Sequence, residues 1–271
     1  MSQSKPLKEL IVAIKGAGDL ASGIAWSLFQ AHIPKLFMLE VPEPMGVRRT
    51  VCFCEALIDG WAEVEGVEAV RAENPEEIAQ AWHKGKIPVV ADPSWSTVGQ
   101  IKPDVVVDAI LGKYNLGTHI GEAPLVIGLG PGFIAGEDAH MVIETNRGHN
   151  LGRIILSGEA EPDTGVPGDI AGYAGERVLR APADGTFDAT GHIGDLVKGG
   201  DLIGRIGEHE VRAAIDGRIL GLIRSGIHVE KGVKIGDIDP RGVAASHEAI
   251  SDKSRAVGRA VLEAILRVYN K

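Results

Sequence analysis

Short apolar runs alternate with amphipathic stretches through the first half of the chain. Residues 10–15 and 35–40 are almost wholly apolar and predict buried strands. Between them, residues 19–30 carry apolar positions at helical spacing and predict a helix. Strand, helix and strand within about 30 residues form a βαβ unit. Residues 89–91, 104–108 and 124–129 predict further buried strands, and residues 74–82 a helix with Asn74 as N-cap and Pro75 in its first turn. Residues 61–71 read as a small β insertion, because Glu63, Glu65 and Glu68 interleave with Val64, Val67 and Val70. Residues 140–145 and 153–156 are late strand candidates, 158–175 a Gly- and Pro-rich linker or ordered loop, and 246–268 a terminal helix.

The second half carries a repeat. Residues 181–204 align with 213–236 at an offset of 32 without a gap, and eight of the 24 pairs are identical, among them Asp184/Asp216, Gly185/Gly217 and Ile203/Ile235. Two copies of one supersecondary unit follow from such a period. The halves resemble the barrel-sandwich of biotinyl and lipoyl carriers. In those carriers a lysine sits on the hairpin between the halves; here that junction, residues 205–212, holds none. The segment therefore reads as a docking or binding module, with His209 at its tip. The expected architecture is α/β: a Rossmann-like parallel-sheet domain over 1–175, an all-β barrel-sandwich over 176–241 lacking the carrier lysine, and a C-terminal helix over 242–271 packed back on the first domain.

Two glycine loops carry the candidate chemistry. Gly16-Ala17-Gly18-Asp19-Leu20-Ala21 fits G-x-G-x-x-A between a strand and a helix. There Gly16 allows the turn, Gly18 lets a pyrophosphate approach, and Ala21 lets helix and strand pack. Glu40 ends the second strand, where a ribose-binding carboxylate is expected, and Arg48 and Arg49 beyond it suit a phosphate. Asp19 would repel a pyrophosphate unless it turns away or holds a metal. The second loop contains Gly128, Gly130 and Gly132 and runs into a polar stretch with Asp138, His140, Glu144 and His149. His140, Glu144 and His149 are candidate acid/base groups; these residues also read as hydrogen-bonded loop residues, and no metal site is assigned. Lys113 is a candidate anion contact or a surface lysine. Cys52 and Cys54 read as buried structural thiols, with sulfur transfer or a soft metal as the alternative.

Composition narrows this further. The net charge of −9 and the lack of a basic run argue against a nucleic-acid partner. No apolar run approaches the ~20 residues that span a bilayer, and the first strand leads straight into the glycine motif without a signal-peptide pattern. A cytoplasmic protein is expected.

Several motifs together resemble the YqeB family of accessory proteins encoded with selenium-dependent molybdenum hydroxylases. They are Lys15 to Gly23, Pro44 to Val51, Gly128 to Phe133 with His140, Glu144, Gly148 and His149, and Lys234 to Arg241. A looser likeness is to the XdhC-type maturation factors. The resemblance implies a part in maturing a molybdenum hydroxylase client, with a nucleotide or the molybdopterin cofactor as the phosphate-bearing ligand. An NAD(P)-dependent oxidoreductase and a non-catalytic adaptor are the alternatives. Whether a reaction is catalysed, and whether the chain self-associates, stay open.

Overall fold

The computed structural model describes residues 5–112 and 114–270; Lys113 lies outside the described residues. The chain divides into two compact units: residues 1–44, 52–163 and 250–271, and residues 45–51 with 164–249.

In the first unit β1 (Ile11–Lys15), α1 (Asp19–Gln30) and β2 (Lys35–Glu40) form the βαβ start. After α2 (Ala56–Asp59) the hairpin β3 (Trp61–Val64) and β4 (Val67–Ala72) follows. Glu65 and Gly66 in its tip both have positive φ, as the tightest hairpin turns require. Then come α3 (Pro75–His83), β5 (Ile87–Ala91), α4 (Ser96–Ile101), β6 (Val105–Asp108) and β7 (Leu125–Leu129). The short strands β8 (Ile134–Ala135), β9 (Met141–Ile143), β10 (Ile154–Ile155) and β11 (Gly158–Glu159) complete the set.

Nine strands make one mixed sheet in the order β10-β9-β7-β6-β1-β2-β5-β4-β3. Pairing is parallel from β9 to β4 and antiparallel at both edges, with β10 and β3. Ala13, Phe37, Leu39, Val90, Val106 and Val126 cover one face and pack with Ile78 of α3 and Val98 of α4. The alternate residues Val12, Ile14, Leu36 and Met38 are equally buried, so both faces are covered and the strands are apolar throughout.

The second unit holds β12 (Val178–Arg180), β13 (Gly185–Ala189), β14 (Leu196–Val197), β15 (Leu202–Ile206), β16 (His209–Arg212), β17 (Gly217–Leu222), β18 (His228–Val229) and β19 (Lys234–Asp239). The repeat is visible in the strands: β13, β14 and β15 begin 32 residues before β17, β18 and β19. It is visible in the core too, where Phe187 and Ile219, Ile203 and Ile235, and Ile206 and Ile238 are repeat-related pairs in one cluster. The first unit closes with α5 (Asp252–Tyr269).

The expected Rossmann-like sheet followed by a barrel-sandwich is corrected by this arrangement. The large sheet is mixed, because a hairpin and a short return strand pair antiparallel at its edges. The doubled segment forms two four-stranded antiparallel sheets, β12-β19-β17-β14 and β16-β15-β13-β18, and β8 with β11 forms a fourth sheet. Each strand pattern is local, whereas sheet order and closure depend on pairings between distant segments. Among the described residues no helix is long and apolar enough to cross a membrane.

Candidate functional site

The parallel strands of the first unit end together, and their ends bring polar groups to one edge of the sheet. Lys15 ends β1, Glu40 ends β2 and Asp108 ends β6, while Asp92 and Glu144 follow β5 and β9. Ligands of open α/β sheets sit at this edge, where the strand order reverses. Here the chain goes from β1 to β2 on one side and returns with β6 on the other.

In the first glycine loop Gly16 has φ +96, and a Cβ there would stand 3.1 Å from the Ala109 carbonyl oxygen. Glycine is thus required for both the turn and the contact. Glu40 lies against the loop: its Oε2 accepts the Ala17 N–H at 2.8 Å and its Oε1 the Val41 N–H at 2.9 Å. The Ala17 carbonyl accepts the Cys54 N–H at 2.9 Å. Gly18 differs from its neighbours. It is the N-cap of α1 with φ −73, and among the described residues no side chain caps the helix there and a Cβ would meet no atom within 4 Å. The first-turn N–H groups of a helix lack partners within it, and the helix dipole favours an anion there. Asp19 accepts a hydrogen bond from the Ser254 hydroxyl at 2.9 Å. Ala21 is buried.

That hydrogen bond belongs to a close pairing of α1 with α5. A Cβ on Gly23 would stand 2.7 Å from Ser254, and one on Gly258 2.5 Å from the Ser27 hydroxyl. The contacts advance in step along both helices, so the two run parallel and their N-termini lie side by side. Lys253 sits in the first turn of α5. Burial, and then the Arg147 guanidinium, hold its amine below the usual lysine range.

The second loop is packed by its own protein. Cβ atoms on Gly128, Gly130 and Gly132 would stand 2.5 Å from the Phe133 ring, 2.6 Å from the Thr145 hydroxyl and 2.8 Å from the Tyr114 Cα. The structure separates the acid/base candidates that follow. His140 Nδ1 accepts the Val126 N–H at 2.9 Å, at the start of β7. Glu144 lies beyond the far end of β9, roughly 13 Å along the strand direction. Its buried carboxylate accepts the Asn146 N–H at 2.6 Å and the Glu161 N–H at 2.7 Å. His149 is exposed, and Asp138 accepts the Ile134 N–H at 2.8 Å. Glu144 also lines a cleft of about 340 Å³ with Arg153, Glu159 and Glu161.

Arg48 and Arg49 belong to the second unit. There Arg48 donates to the Ala249 carbonyl and Arg49 to the Leu222 carbonyl, each at 2.8 Å. Cys52 and Cys54 are both buried. A hydrogen bond with Cys54, followed by burial, pushes the Cys52 thiol well up, which keeps it protonated and weakly nucleophilic.

Sequence reasoning missed the most buried charge at this edge. The Lys15 side chain is 0% exposed. Its amine donates to the Thr118 hydroxyl at 2.6 Å and to Glu122 Oε1 at 2.9 Å, and lies 5.5 Å from the centre of the Trp95 ring. Thr118 in turn donates to Asp108 at 2.6 Å. Burial raises the Asp108 pKa against the opposing pull of Thr118, the Ile110 N–H and Lys15. Trp95 is held by a second device. Asp92 accepts hydrogen bonds from Ser94, Ser96 and Thr97 around it. Burial alone would raise the Asp92 pKa, but these bonds lower it to about 2. The one sequence signal was a lysine closing an otherwise apolar strand.

No family model matches the chain. A protein of Escherichia coli (strain K12), described as uncharacterized protein YqeB, is 50% identical over all 271 residues, which correspond to 50% of its length. The chain thus spans about half the length of the curated relative it matches. Among solved structures, a succinylglutamate desuccinylase from Silicibacter shares 16% identity over 84% of each chain at a TM-score of 0.25. The apo ectoine utilization protein EutE from Ruegeria pomeroyi shares 13% over 84% of this chain and 85% of its own, also at 0.25. TcdA (CsdL) shares 16% over 46% of this chain and 50% of its own at 0.30. At these scores none carries an argument about activity. The sequence likeness does not share that limit: the chain is YqeB-like along all 271 residues, as its glycine-loop and 128–153 motifs implied.

Proposed function

We propose that this chain is an accessory factor in the maturation of a selenium-dependent molybdenum hydroxylase, and that its first glycine loop holds a phosphate-bearing ligand, either a nucleotide or the molybdopterin cofactor. The observation that carries the site is Gly18. Neither its backbone angle nor any neighbour requires a glycine, so what a side chain would obstruct is the space before the α1 N-terminus. Anions favour such a terminus. The surrounding residues fit a phosphate-bearing group: the first-turn N–H groups of a helix lack partners within it, and Glu40 is oriented by two backbone donors. Each Glu40 oxygen keeps a further lone pair for a ribose hydroxyl or a pterin N–H. The accessory role is motivated by the YqeB likeness. The hydride-transfer alternative draws no support from His140, whose Nδ1 is engaged with β7.

The test is native mass spectrometry of freshly isolated protein, with a thermal-shift panel of nucleotides and pterin cofactor. A retained or stabilising ligand whose affinity falls at least about tenfold in Gly18→Val, with the fold intact, supports the reading. Protein that retains nothing, responds to no ligand in the panel and captures no hydroxylase sinks it.

A further inference from the structure

The cleft beside β10, apart from the Gly18 space, is lined by charges of both signs that make no ion pair with one another among the described residues. We infer that this cleft binds a small molecule with an ammonium or guanidinium group at one end, a carboxylate at the other and an aliphatic stem between them, the pattern of a basic amino acid.

Three observations carry this. The first is an ion pair that the strand pairing offers and the side chains do not make. β9 and β10 run antiparallel with Ile143 opposite Ile154. Glu144 therefore stands opposite Arg153, and its N–H donates to the Arg153 carbonyl at 3.0 Å. Opposite charges at such facing positions attract one another. Yet the Arg153 side chain is exposed and has no hydrogen-bonding or charged partner among the described residues. Its guanidinium is left with all its donors.

The second observation is the state of the carboxylates. Glu144 is 2% exposed, and among the described residues its oxygens accept only the Asn146 and Glu161 N–H groups. Charges buried in proteins are paired with an opposite charge. Lys253 feels the charge of Glu144, but no ion pair joins the two among the described residues. Each Glu144 oxygen keeps a further lone pair. Glu161 is fixed beside it: the Asn150 and Asn146 amides each donate to one of its oxygens at 2.8 Å, and they hold its pKa below the usual carboxylate range.

The third is the shape. The cleft measures about 340 Å³, within the range of small-molecule sites. Ile154, Ile155 and Leu156 form an apolar part of its wall, and Leu156 is 59% exposed. An aliphatic stem laid on this wall covers it, while the two ends of the ligand meet Arg153 and the carboxylates. Glu144, Glu159 and Glu161 outnumber Arg153, so a ligand of net positive charge is favoured.

The experiment is hydrogen–deuterium exchange of the wild-type protein, titrated separately with L-arginine, L-lysine, agmatine and glutarate. Agmatine is arginine without its carboxylate, and glutarate has no cation. At least one of the two amino acids is expected to slow exchange over residues 150–161 about threefold and saturably. Agmatine is expected to bind at least about tenfold more weakly than L-arginine, and glutarate not at all. Arg153→Met is expected to abolish the advantage of L-arginine over agmatine, and Glu161→Gln to weaken both. Gly18→Val is expected to keep the amino-acid response. No saturable slowing with either amino acid, binding of agmatine or glutarate equal to that of L-arginine, or an advantage that survives Arg153→Met overturns the inference. The wild-type titrations decide it even where a variant fails to fold.

Discussion

The two glycine loops follow strands of the same sheet and look alike in sequence, yet they differ in what their glycines do. In the second loop each of Gly128, Gly130 and Gly132 makes room for a neighbouring residue of the protein. In the first, Gly16 makes room for the Ala109 carbonyl, while Gly18 makes room for nothing among the described residues. A glycine-rich turn is therefore not by itself a ligand site. What separates the two is whether the space beside the glycine is already filled.

Substitutions should sort the loops by this rule, and urea denaturation measures the sorting. Gly132→Ala combines φ +99 with an approach of 2.8 Å to the Tyr114 backbone. A loss of about 3 kcal/mol is expected; a loss below about 1 kcal/mol would erase the distinction. Next comes Asp92→Asn, a loop closed by hydrogen bonds instead of packing. The Asp92 pKa is lowered from 3.8 to about 2, so its carboxylate contributes stability above about pH 4 that is lost as pH falls toward 2. The variant should cost about 2 kcal/mol at pH 7, and its curve should converge on wild type near pH 2. Gly16→Ala, with φ +96 and a milder contact, should cost about 1–2 kcal/mol. The smallest effect belongs to Gly18→Ala, expected within about 0.5 kcal/mol of wild type. If it instead destabilises as much as Gly16→Ala, the space at the α1 terminus has a structural role and the proposed ligand site loses its main support.

The local features of the fold were legible, and the non-local ones were not. The spans of α1 and β2 agree with their apolar patterns to the residue. Asn74 caps α3 through the Glu77 N–H at 2.9 Å, as its place before Pro75 implied. The 32-residue repeat marks real strand pairs. By contrast α5 begins after Ser251, whose hydroxyl accepts the Ser254 N–H, and not at Ser246. Both serines carry a capping signal, and only packing chooses between them. Sheet closure is not legible in local patterns because pairing partners lie far apart in the chain. The setting of Lys15 is hidden for the same reason: its partners Thr118 and Glu122 are 103 and 107 residues away. His140 and Glu144 are four residues apart in sequence, but backbone contacts at opposite ends of a strand claim each of them.

The parallel pairing of α1 with α5 bears on how the molecule is made. Gly23 and Ser27 wait for Ser254 and Gly258, more than 200 residues later in the chain. Contacts of such sequence separation form slowly, because a long loop must close first. During synthesis the sheet of the first unit emerges with one groove of α1 still bare, and the doubled segment is completed before that groove is filled. Docking of α5 therefore comes after the doubled segment has been made, and it is also the step that brings Ser254 and Lys253 to the α1 terminus. Binding at Gly18 would consequently wait on a segment made more than 200 residues after the loop itself.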